Sequence, residues 1–351
     1  MTAATAGGDS LLAVTGLRLT LGPATLLDDI TLTVGRGEVV GLVGESGSGK
    51  TLTGLSILGL VPHGAHVSGS VRFAGTELLG AAPAALRATR GDQIGMIFQE
   101  PRSSLNPVLP VGRQIVDVIR AHREVSRREA GATALSLLDQ VGLPSPRNCF
   151  AAYPHELSGG MCQRAMIAMA LACDPSLLIA DEPTTSLDVT VQAQIISLLR
   201  SIADERGLSV LLITHNLAVV TQVCDRVVTM YCGQVVNIDS THRVVAAPSH
   251  PYTWALVSSG RLQLAAAALT GRELTEPELT GPELTEGQLT GPELTGQPAN
   301  PEHPPTGCRF HPRCPFAEER CTQTVPEMTE LDGAQTRCLR HAELRLEAGI
   351  R

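Results

Sequence analysis

Aromatic residues and positive charge are scarce in this 351-residue chain. Phe, Tyr and Trp together make up 3% of it, and the formal net charge is −8. Few side chains are available on which the bases of single-stranded nucleic acid could stack, and the negative charge disfavours contact with a phosphate backbone. Nucleic acid is therefore not expected as a ligand. Hydrophobic residues make up 43%, which excludes disorder of the whole chain.

Long hydrophobic runs are absent as well. No stretch of about 18 or more uncharged apolar residues occurs, so the sequence predicts no membrane-spanning helix. The N-terminal sequence MTAATAGGDSLLAV lacks the basic start and the long apolar stretch of a signal peptide. We expect a cytosolic chain that reaches a membrane only through a partner.

Short apolar runs alternate with helical stretches from about residue 11 to residue 260. This pattern is typical of an α/β domain with a largely parallel sheet. Apolar residues spaced as on one face of a helix predict a helix over 191–202. Four apolar runs predict buried strands, and these are Val39–Val43, Ile94–Phe98, Leu177–Ala180 and Ser209–Thr214.

Lysine is nearly missing too, because every basic residue except Lys50 is arginine. Lys50 lies in the sequence GESGSGKT, residues 44–51, which follows the first buried strand and matches the phosphate-binding pattern GxxxxGK followed by Ser or Thr. Glycines let backbone N–H groups approach a polyphosphate, and the following helix presents its positive end. We predict that Lys50 spans the β- and γ-phosphates and that the Thr51 hydroxyl binds Mg²⁺. The predicted phosphate-binding residues are Gly44, Glu45, Ser46, Gly47, Ser48, Gly49, Lys50 and Thr51.

Polar residues also follow the other three predicted strands. Gln99 follows the second, Asp181 and Glu182 the third, and His215 the fourth. Ligands of open parallel sheets bind at the carboxyl ends of the strands, so these side chains are expected beside the phosphates. Asp181 then suits Mg²⁺, and Gln99 suits either the ion or the attacking water. Glu182 suits proton transfer from that water, and His215 suits a hydrogen bond to the γ-phosphate. The catalytic candidates are Glu182, His215 and Gln99.

A second glycine-rich segment has the sequence LSGGM, residues 157–161, and precedes a helical stretch. Ser158 is a suitable N-cap, and the free N–H groups of Gly159 and Gly160 would form another anion site. Such a helix start is common by itself. One chain with two phosphate-binding helix starts and one lysine loop makes sense if two copies hold nucleotide between them.

Together these motifs resemble those of the ATP-binding cassette (ABC) ATPases. GESGSGKT, the Gln99 loop, LSGGM, LLIADEP, SLD at 186–188 and His215 occur in the family's order, over about residues 11–260. The resemblance implies a P-loop NTPase fold with a mixed sheet core and a helical subdomain at about residues 100–175.

The resemblance also implies a head-to-tail dimer. In it, Ser158, Gly159 and Gly160 of one chain close over ATP that the Lys50 loop of the other chain holds. Asp188, in the SLD motif, is counted with the nucleotide-binding residues. The segment after Gln99 would dock onto transmembrane subunits.

Finer features are similar to the oligopeptide, dipeptide and nickel importer subfamily. They are FQEPRSSLNPVLPVG, LSGGM followed by xQR, DEPTTSLDVT, THNLAVV, HPYTWAL and the tail GCRFHPRCPFAEERC. Two positions depart from the pattern. Cys162 replaces an arginine that is common there, and we expect it on the helix surface. Leu21 lies where the family has an aromatic residue stacked on adenine, so no adenine role is assigned to it.

Four of the nine cysteines lie close together near the C-terminus. The paired CxxC pattern that is usual for zinc is absent. Four thiolates suit an iron–sulfur cluster, and the resemblance implies a four-iron–four-sulfur cluster. Zinc, with help from His303, His311 and His341, and the absence of any metal are the alternatives. The candidate ligands are Cys308, Cys314, Cys321 and Cys338. The remaining cysteines are expected to be ordinary small hydrophobic residues, and they are Cys149, Cys162, Cys173, Cys224 and Cys232.

Four regions are predicted along the chain. They are a disordered N-terminus at 1–10, the ATPase domain at 11–260, an acidic linker at 261–300 and a small Cys-rich extension at 301–345. The linker contains a five-residue repeat such as LTGPE, in which six Glu and one Arg give a charge of −5. Its repeated Pro and Gly exclude a regular helix, so we predict a spacer.

The resulting hypothesis is the ATP-hydrolysing subunit of an ABC importer of di- or oligopeptides, with ATP and Mg²⁺. The implied partners are a second identical or related ATPase subunit, two permease subunits and an extracytoplasmic solute-binding protein. The implied location is the cytoplasmic face of the membrane, as a peripheral protein. One alternative keeps the chemistry and changes the cargo to nickel, glutathione or another small solute. Others are a soluble ABC ATPase that acts on DNA or ribosomes, and an iron–sulfur redox protein with a vestigial nucleotide fold.

Overall fold

A computed structural model describes residues 10–185, 187–258 and 296–346. Almost all of the predicted disordered N-terminus and most of the predicted linker lie outside these ranges, as does Ser186 of the SLD motif. Ser10 already belongs to the first strand. At the other end of the linker, the Ala299 N–H donates a hydrogen bond to the Tyr231 hydroxyl at 3.2 Å, so residues just before the predicted extension also contact the core.

The elements are as follows. The strands are β1 (Ser10–Leu21), β2 (Ala24–Gly35), β3 (Val39–Val43), β4 (Ala65–Phe73), β5 (Thr76–Glu77), β6 (Ile94–Ile97), β7 (Leu177–Asp181), β8 (Ser209–Thr214), β9 (Arg226–Tyr231), β10 (Gln234–Ser240), β11 (Thr329–Leu331) and β12 (Ala334–Thr336). The helices are α1 (Lys50–Ile57), α2 (Pro83–Thr89), α3 (Pro101–Ser104), α4 (Val111–His122), α5 (Arg127–Gln140), α6 (Pro146–Ala151), α7 (Gly159–Ala170), α8 (Val189–Arg206), α9 (Leu217–Val223), α10 (Thr241–Ala246), α11 (Pro251–Ser258) and α12 (Glu319–Gln323). Short 3₁₀ turns span Pro154–Glu156 and His311–Arg313.

The central sheet has the strand order β11-β12-β10-β9-β3-β8-β7-β6. The five strands from β9 to β6 are parallel, and β10, β12 and β11 are antiparallel. All four predicted buried strands are present, with β6 ending one residue earlier than expected and β7 one residue later. Val43 pairs with Thr214, and Asp181 pairs with Ile213, so three strands end at the same edge of the sheet.

The two faces of β3 pack against two different layers. Val40 and Leu42 pack in a cluster with the second sheet, which is antiparallel with the order β2-β1-β4-β5. Val39 and Val43 pack in the other cluster, on the side of the helices. Because strands buried on both faces read as continuous apolar runs, the sequence VVGLV was recognisable as a strand without alternation.

Between β6 and β7 the chain forms helices α3 to α7, within the range where a helical subdomain is predicted. In α7, the packing corrects one prediction. Cys162 is fully buried rather than on the helix surface, and its thiol donates to the Pro154 carbonyl at 3.3 Å. The reason is that α7 contacts α3, α4, α5 and β6, which leaves little of this helix facing solvent. All five cysteines predicted to be hydrophobic residues are buried.

The C-terminal segment, residues 296–346, is joined to the central sheet. β12 pairs with β10, with Asn237 opposite Thr336, and β11 pairs with β12 as a hairpin. Phe310 is 1% exposed and its ring packs against the rings of Tyr231 and Tyr252 at centroid distances of 5.2 and 5.3 Å. The segment therefore shares a hydrophobic cluster and a sheet edge with the rest of the molecule.

Candidate nucleotide-binding site

The loop after β3 is shaped by glycine at its first position. Gly44 has φ 155°, and a Cβ there would lie 2.2 Å from the Met230 carbonyl oxygen, so no larger residue fits. Gly49, with φ 101°, precedes α1, and no side chain caps that helix. The first N–H groups of α1 are therefore open to an anion, as the motif predicts.

Lys50 is held inside this loop. Its side chain is buried, and Nζ donates to the carbonyl oxygens of Gly44 at 2.8 Å and Glu45 at 2.9 Å. Burial lowers the Lys50 pKa, and the neighbouring carboxylates of Glu182, Asp181 and Glu45 oppose that shift. A polyphosphate would replace two neutral carbonyls with charged oxygens as partners of the ammonium group, which strengthens its hydrogen bonds.

Thr51 and Asp181 form an oxygen pair beside the loop. The Thr51 hydroxyl donates to Asp181 Oδ1 at 3.1 Å, and Asp181 is 2% exposed. Burial raises the Asp181 pKa to about 6, with a further contribution from the charge of Glu182. A buried carboxylate with this shift gains from a cation, and Mg²⁺ is usually held by one or two carboxylates together with substrate phosphates. The residues present thus fit a magnesium ion.

Glu182 lies next in the chain and has a left-handed backbone with φ 45°. Its Oε1 lies 2.9 Å from His215 Nδ1, and its Oε2 accepts from the Thr185 hydroxyl at 2.6 Å. Burial alone would raise the Glu182 pKa, but the hydrogen bonds from Thr185 and His215 lower it overall. Glu182 is therefore held as a carboxylate, which is the form that can accept a proton from water.

A cleft of about 310 Å³ brings part of the predicted residues together, while Asp181 and His215 lie outside its lining, in contact with Thr51 and Glu182. It is lined by Leu26, Ser46, Gly47, Gly49, Lys50, Thr51, Leu52, Gln99, Glu182 and Pro301. Gln99 thus joins the loop and Glu182 on one cleft. Leu21 is 37% exposed at the end of β1 and does not contribute to this lining, whereas Leu26, Leu52 and Pro301 do. Pro301 comes from the C-terminal segment.

The second glycine-rich segment lines a different cleft. The Ser158 hydroxyl caps α7 by accepting from the Met161 N–H at 3.3 Å, and Asp188 caps α8 by accepting from the Val191 N–H at 2.9 Å. Both residues line this cleft with Gly159 and Gly160, and none of the four lines the cleft that contains Lys50. The chain therefore carries two separate candidate phosphate sites.

Two residues that contact Glu45 were not predicted from the sequence as parts of the site. The Tyr252 hydroxyl accepts from the Glu45 N–H at 2.9 Å, and the Arg313 guanidinium binds the Glu45 carboxylate with two hydrogen bonds. Both residues lie in motifs from which only the similarity to the importer subfamily was inferred, HPYTWAL and FHPRCPF. No local pattern shows that these motifs reach the loop.

The four C-terminal cysteines line one pocket. Its other lining residues include Phe310, Phe316 and Leu344, and of the three histidines considered as zinc ligands only His311 is among them. Burial, followed by the effect of neighbouring thiols, raises the pKa of Cys314 to about 12 and that of Cys338 to about 11. Within the described ranges, no three His, Cys, Asp or Glu residues are arranged to hold a single metal ion. The structure thus places the four cysteine side chains around the same pocket.

A phosphate loop, an acid pair at the end of another strand of the same sheet and a second helix start in a separate cleft are the features of a P-loop ATPase of the ABC class. The family model for ABC transporters matches residues 27–185, and the model for the oligopeptide/dipeptide transporter C-terminal region matches residues 280–321. The chain belongs to the ATP-binding proteins of ABC transporters, and it is an ATP hydrolase.

Curated relatives match almost the whole chain. A putative peptide import ATP-binding protein of Brucella melitensis is 45% identical over 91% of this chain and 92% of its own length. The oligopeptide transport ATP-binding protein OppD of Escherichia coli is 40% identical over 95% of this chain and 94% of its own. AppD of Bacillus subtilis, an oligopeptide transport ATP-binding protein, is 41% identical over 92% of each chain.

Solved structures agree with the fold. A dimeric bacterial ABC transporter cassette is 26% identical, with a TM-score of 0.59, and covers 66% of this chain and 98% of its own. The same values hold for a post-hydrolysis state of such a cassette bound to ADP and phosphate. The predicted ABC fold is confirmed. In the ranges described, no helix is both long and apolar enough to cross a membrane.

Proposed function

We propose that this chain drives the import of di- or oligopeptides through separate permease subunits. The observation that carries the proposal is the full-length similarity to relatives named for peptide import, which includes the C-terminal region found in oligopeptide and dipeptide transporters. We further propose that the chain is peripheral on the cytoplasmic face of the membrane and works with two permeases and an extracytoplasmic solute-binding protein.

The side chains of the loop cleft have distinct roles in this proposal. Lys50 leaves the carbonyls of Gly44 and Glu45 and binds the β- and γ-phosphates of ATP. Thr51 and Asp181 hold Mg²⁺, which supplies positive charge to the same phosphates. Supporting this assignment are the burial of both Lys50 and Asp181 and the contact between Asp181 and Thr51.

Glu182 is proposed to accept a proton from the attacking water. The carboxylate is ionised, and His215 and Thr185 hold its two oxygens. Gln99, on the same cleft, would orient the water or the ion, and His215 would then turn toward the γ-phosphate. One exchange of hydrogen bonds at Glu182 would therefore release both the base and the histidine for the reaction.

The second cleft is proposed to complete the site of another subunit. Ser158, Gly159 and Gly160 would bind the γ-phosphate of ATP held in the partner's loop cleft, with Asp188 beside them. The separation of the two clefts in one chain supports this arrangement, because neither alone encloses a triphosphate on both sides.

The cysteine pocket is proposed to hold a four-iron–four-sulfur cluster with a structural role. Cys308, Cys314, Cys321 and Cys338 would be its ligands, and when bound the cluster would keep their thiols deprotonated. Protein purified anaerobically should be brown and should contain iron and acid-labile sulfide, and Cys314→Ser should lose both. A colourless anaerobic preparation with one zinc per chain would contradict the proposal.

The cargo is tested in cells in which the gene has been deleted. Uptake of labelled di- and tripeptides should be lost, it should return with the wild-type gene, and it should not return with Lys50→Ala. Nickel uptake should be unchanged in all strains. Loss of nickel uptake with normal peptide uptake would overturn the peptide assignment, although the ATPase role would stand.

A further inference from the structure

Glu45 places a carboxylate in a loop that must bind a polyanion. Its N–H is held by the Tyr252 hydroxyl, and its carbonyl accepts from Lys50 Nζ at 2.9 Å. Its carboxylate is close enough to contribute to the electrostatics of Lys50. A carboxylate left uncompensated there would repel the phosphates that this loop receives, and the repulsion would grow with the number of phosphate charges.

Arg313 covers this carboxylate. Nη1 lies 2.6 Å from Glu45 Oε2 and Nη2 lies 3.0 Å from Oε1, which is the two-point geometry of a strong guanidinium–carboxylate pair. The Arg313 side chain is 5% exposed, and its guanidinium carbon lies 5.9 Å from the centre of the Tyr231 ring. The Glu45 side chain is 24% exposed, so the pair is partly buried. Salt screens a partly buried ion pair less than a fully exposed one.

Arg313 belongs to the Cys-rich segment, far from the phosphate loop in the sequence. Arg313 ends the 3₁₀ turn His311–Arg313, and Cys308 and Cys314 lie on either side of that turn. It is 268 residues away from Glu45 in the sequence. The Cys-rich segment thus contributes a side chain to the phosphate loop of its own chain.

We propose that Arg313 is a positioning residue of the ATP site. It neutralises Glu45 and holds its carboxylate away from the incoming phosphates, so that the loop accepts a nucleoside triphosphate. The inference rests on the ATP site described above and goes beyond it, because it assigns a residue of the Cys-rich segment to the ATP site of the same chain.

The test is a double-mutant cycle on the full-length chain purified anaerobically, with equilibrium binding of Mg-ATP and Mg-ADP. Arg313→Ala should weaken ATP binding about tenfold at low salt, because the uncompensated Glu45 carboxylate then repels the phosphates. ADP binding should weaken less, because ADP carries less charge. Glu45→Gln combined with Arg313→Ala should bind ATP more tightly than Arg313→Ala alone, because no unpaired carboxylate is then left in the loop. The affinity of Glu45→Gln alone completes the cycle and gives the coupling between the two residues.

A matched control breaks another ion pair of the same segment. Arg337 Nη2 lies 2.8 Å from Asp29 Oδ2, and neither residue lines the loop cleft. Asp29→Asn should leave ATP affinity unchanged, and thermal unfolding without nucleotide should show that every variant is folded. Arg313→Lys, which keeps the charge but loses the two-point contact, should fall between the wild type and Arg313→Ala.

Three outcomes would overturn the inference. They are wild-type affinity in Arg313→Ala, no rescue by Glu45→Gln, and an equal loss of affinity in Asp29→Asn. Failure of the ATP site itself is distinguishable, because then the wild-type chain would not bind ATP or Lys50→Ala would bind it equally well.

Discussion

At the scale of single residues, the charged groups of the loop cleft lie where stability alone would not place them. Asp181 is nearly inaccessible to water and its pKa is raised to about 6 by burial. Glu182, its neighbour, has a positive φ that is costly for a residue with a side chain. Both features cost stability, and both suit the roles proposed above, those of a cation ligand for Asp181 and a general base for Glu182.

Asp181→Asn should therefore stabilise the nucleotide-free, Mg²⁺-free protein while it impairs Mg-ATP hydrolysis. The pKa of the Asp181 carboxyl is higher in the folded chain than in the unfolded chain, so its ionisation destabilises the folded state above pH 6. This destabilisation disappears as the pH falls from about 6 towards the unfolded pKa of 3.8, because the folded carboxyl becomes protonated. The expected gain in the free energy of unfolding is about 2–3 kcal/mol at pH 7.5, and it should be smaller at pH 5. Denaturant titrations at both pH values measure it.

The control for this prediction is Asp117→Asn. Asp117 is 44% exposed and pairs with Arg113 on the surface of α4, so its loss should change stability by less than about 1 kcal/mol. If Asp181→Asn is less stable than the wild type at pH 7.5, the carboxylate is not the unfavourable buried ion inferred here.

The placement of the polar residues in and beside the loop cleft was predictable because their patterns are local. Lys50 stands in a recognisable loop, and Asp181, Glu182 and His215 come directly after buried strands. Cys162 was placed wrongly because its surroundings depend on how α7 packs against three other helices. Arg313 and Tyr252 were missed for a related reason, since a contact between residues more than 200 positions apart leaves no periodicity in the sequence.

At the scale of elements, composition divides the chain into regions, and the structure shows that the C-terminal segment packs against the ATPase domain. β12 continues the central sheet by pairing with β10, and Phe310 packs against both Tyr231 and Tyr252. Arg309 adds ion pairing to Asp28 in β2. The C-terminal segment thus covers a strand edge and shares an aromatic cluster with the cassette. Because these contacts would be lost if the segment unfolded alone, we expect the segment and the cassette to unfold together.

Phe310→Ala should thus lower the free energy of unfolding of the whole chain, by about 3–4 kcal/mol, because it leaves a cavity beside two buried aromatic rings. Circular dichroism follows the cassette, and the fluorescence of Trp254, the single tryptophan, follows the contact of α11 with Phe316 at 5.4 Å. Both signals should shift together. If only the tryptophan signal shifts, the segment unfolds independently.

At the scale of the whole molecule, we propose that a second chain completes each of the two clefts of one chain. Glu182→Gln should therefore accumulate as an ATP-bound dimer, because it binds nucleotide but cannot take the proton from water. Light scattering after gel filtration, with ATP and without it, measures the mass. A monomer that still hydrolyses ATP would contradict the assignment of Glu182.

A second variant separates dimer formation from ATP binding. Glu182→Gln combined with Ser158→Arg should still bind ATP at Lys50, but it should remain a monomer, since the added side chain occupies the cleft that receives the partner's phosphates. A dimer formed equally well by this double variant would show that the second cleft takes no part in closure.

In the proposed dimer each chain contributes opposite halves to two different pockets, so mixing two variants should redistribute their defects. If copies with Lys50→Ala are combined with copies with Ser158→Arg, each mixed pair contains one pocket that carries both lesions and one that carries neither. Two preparations that are inactive separately would regain part of their turnover when pooled, and the extent of this complementation would report how many intact pockets a transport cycle needs.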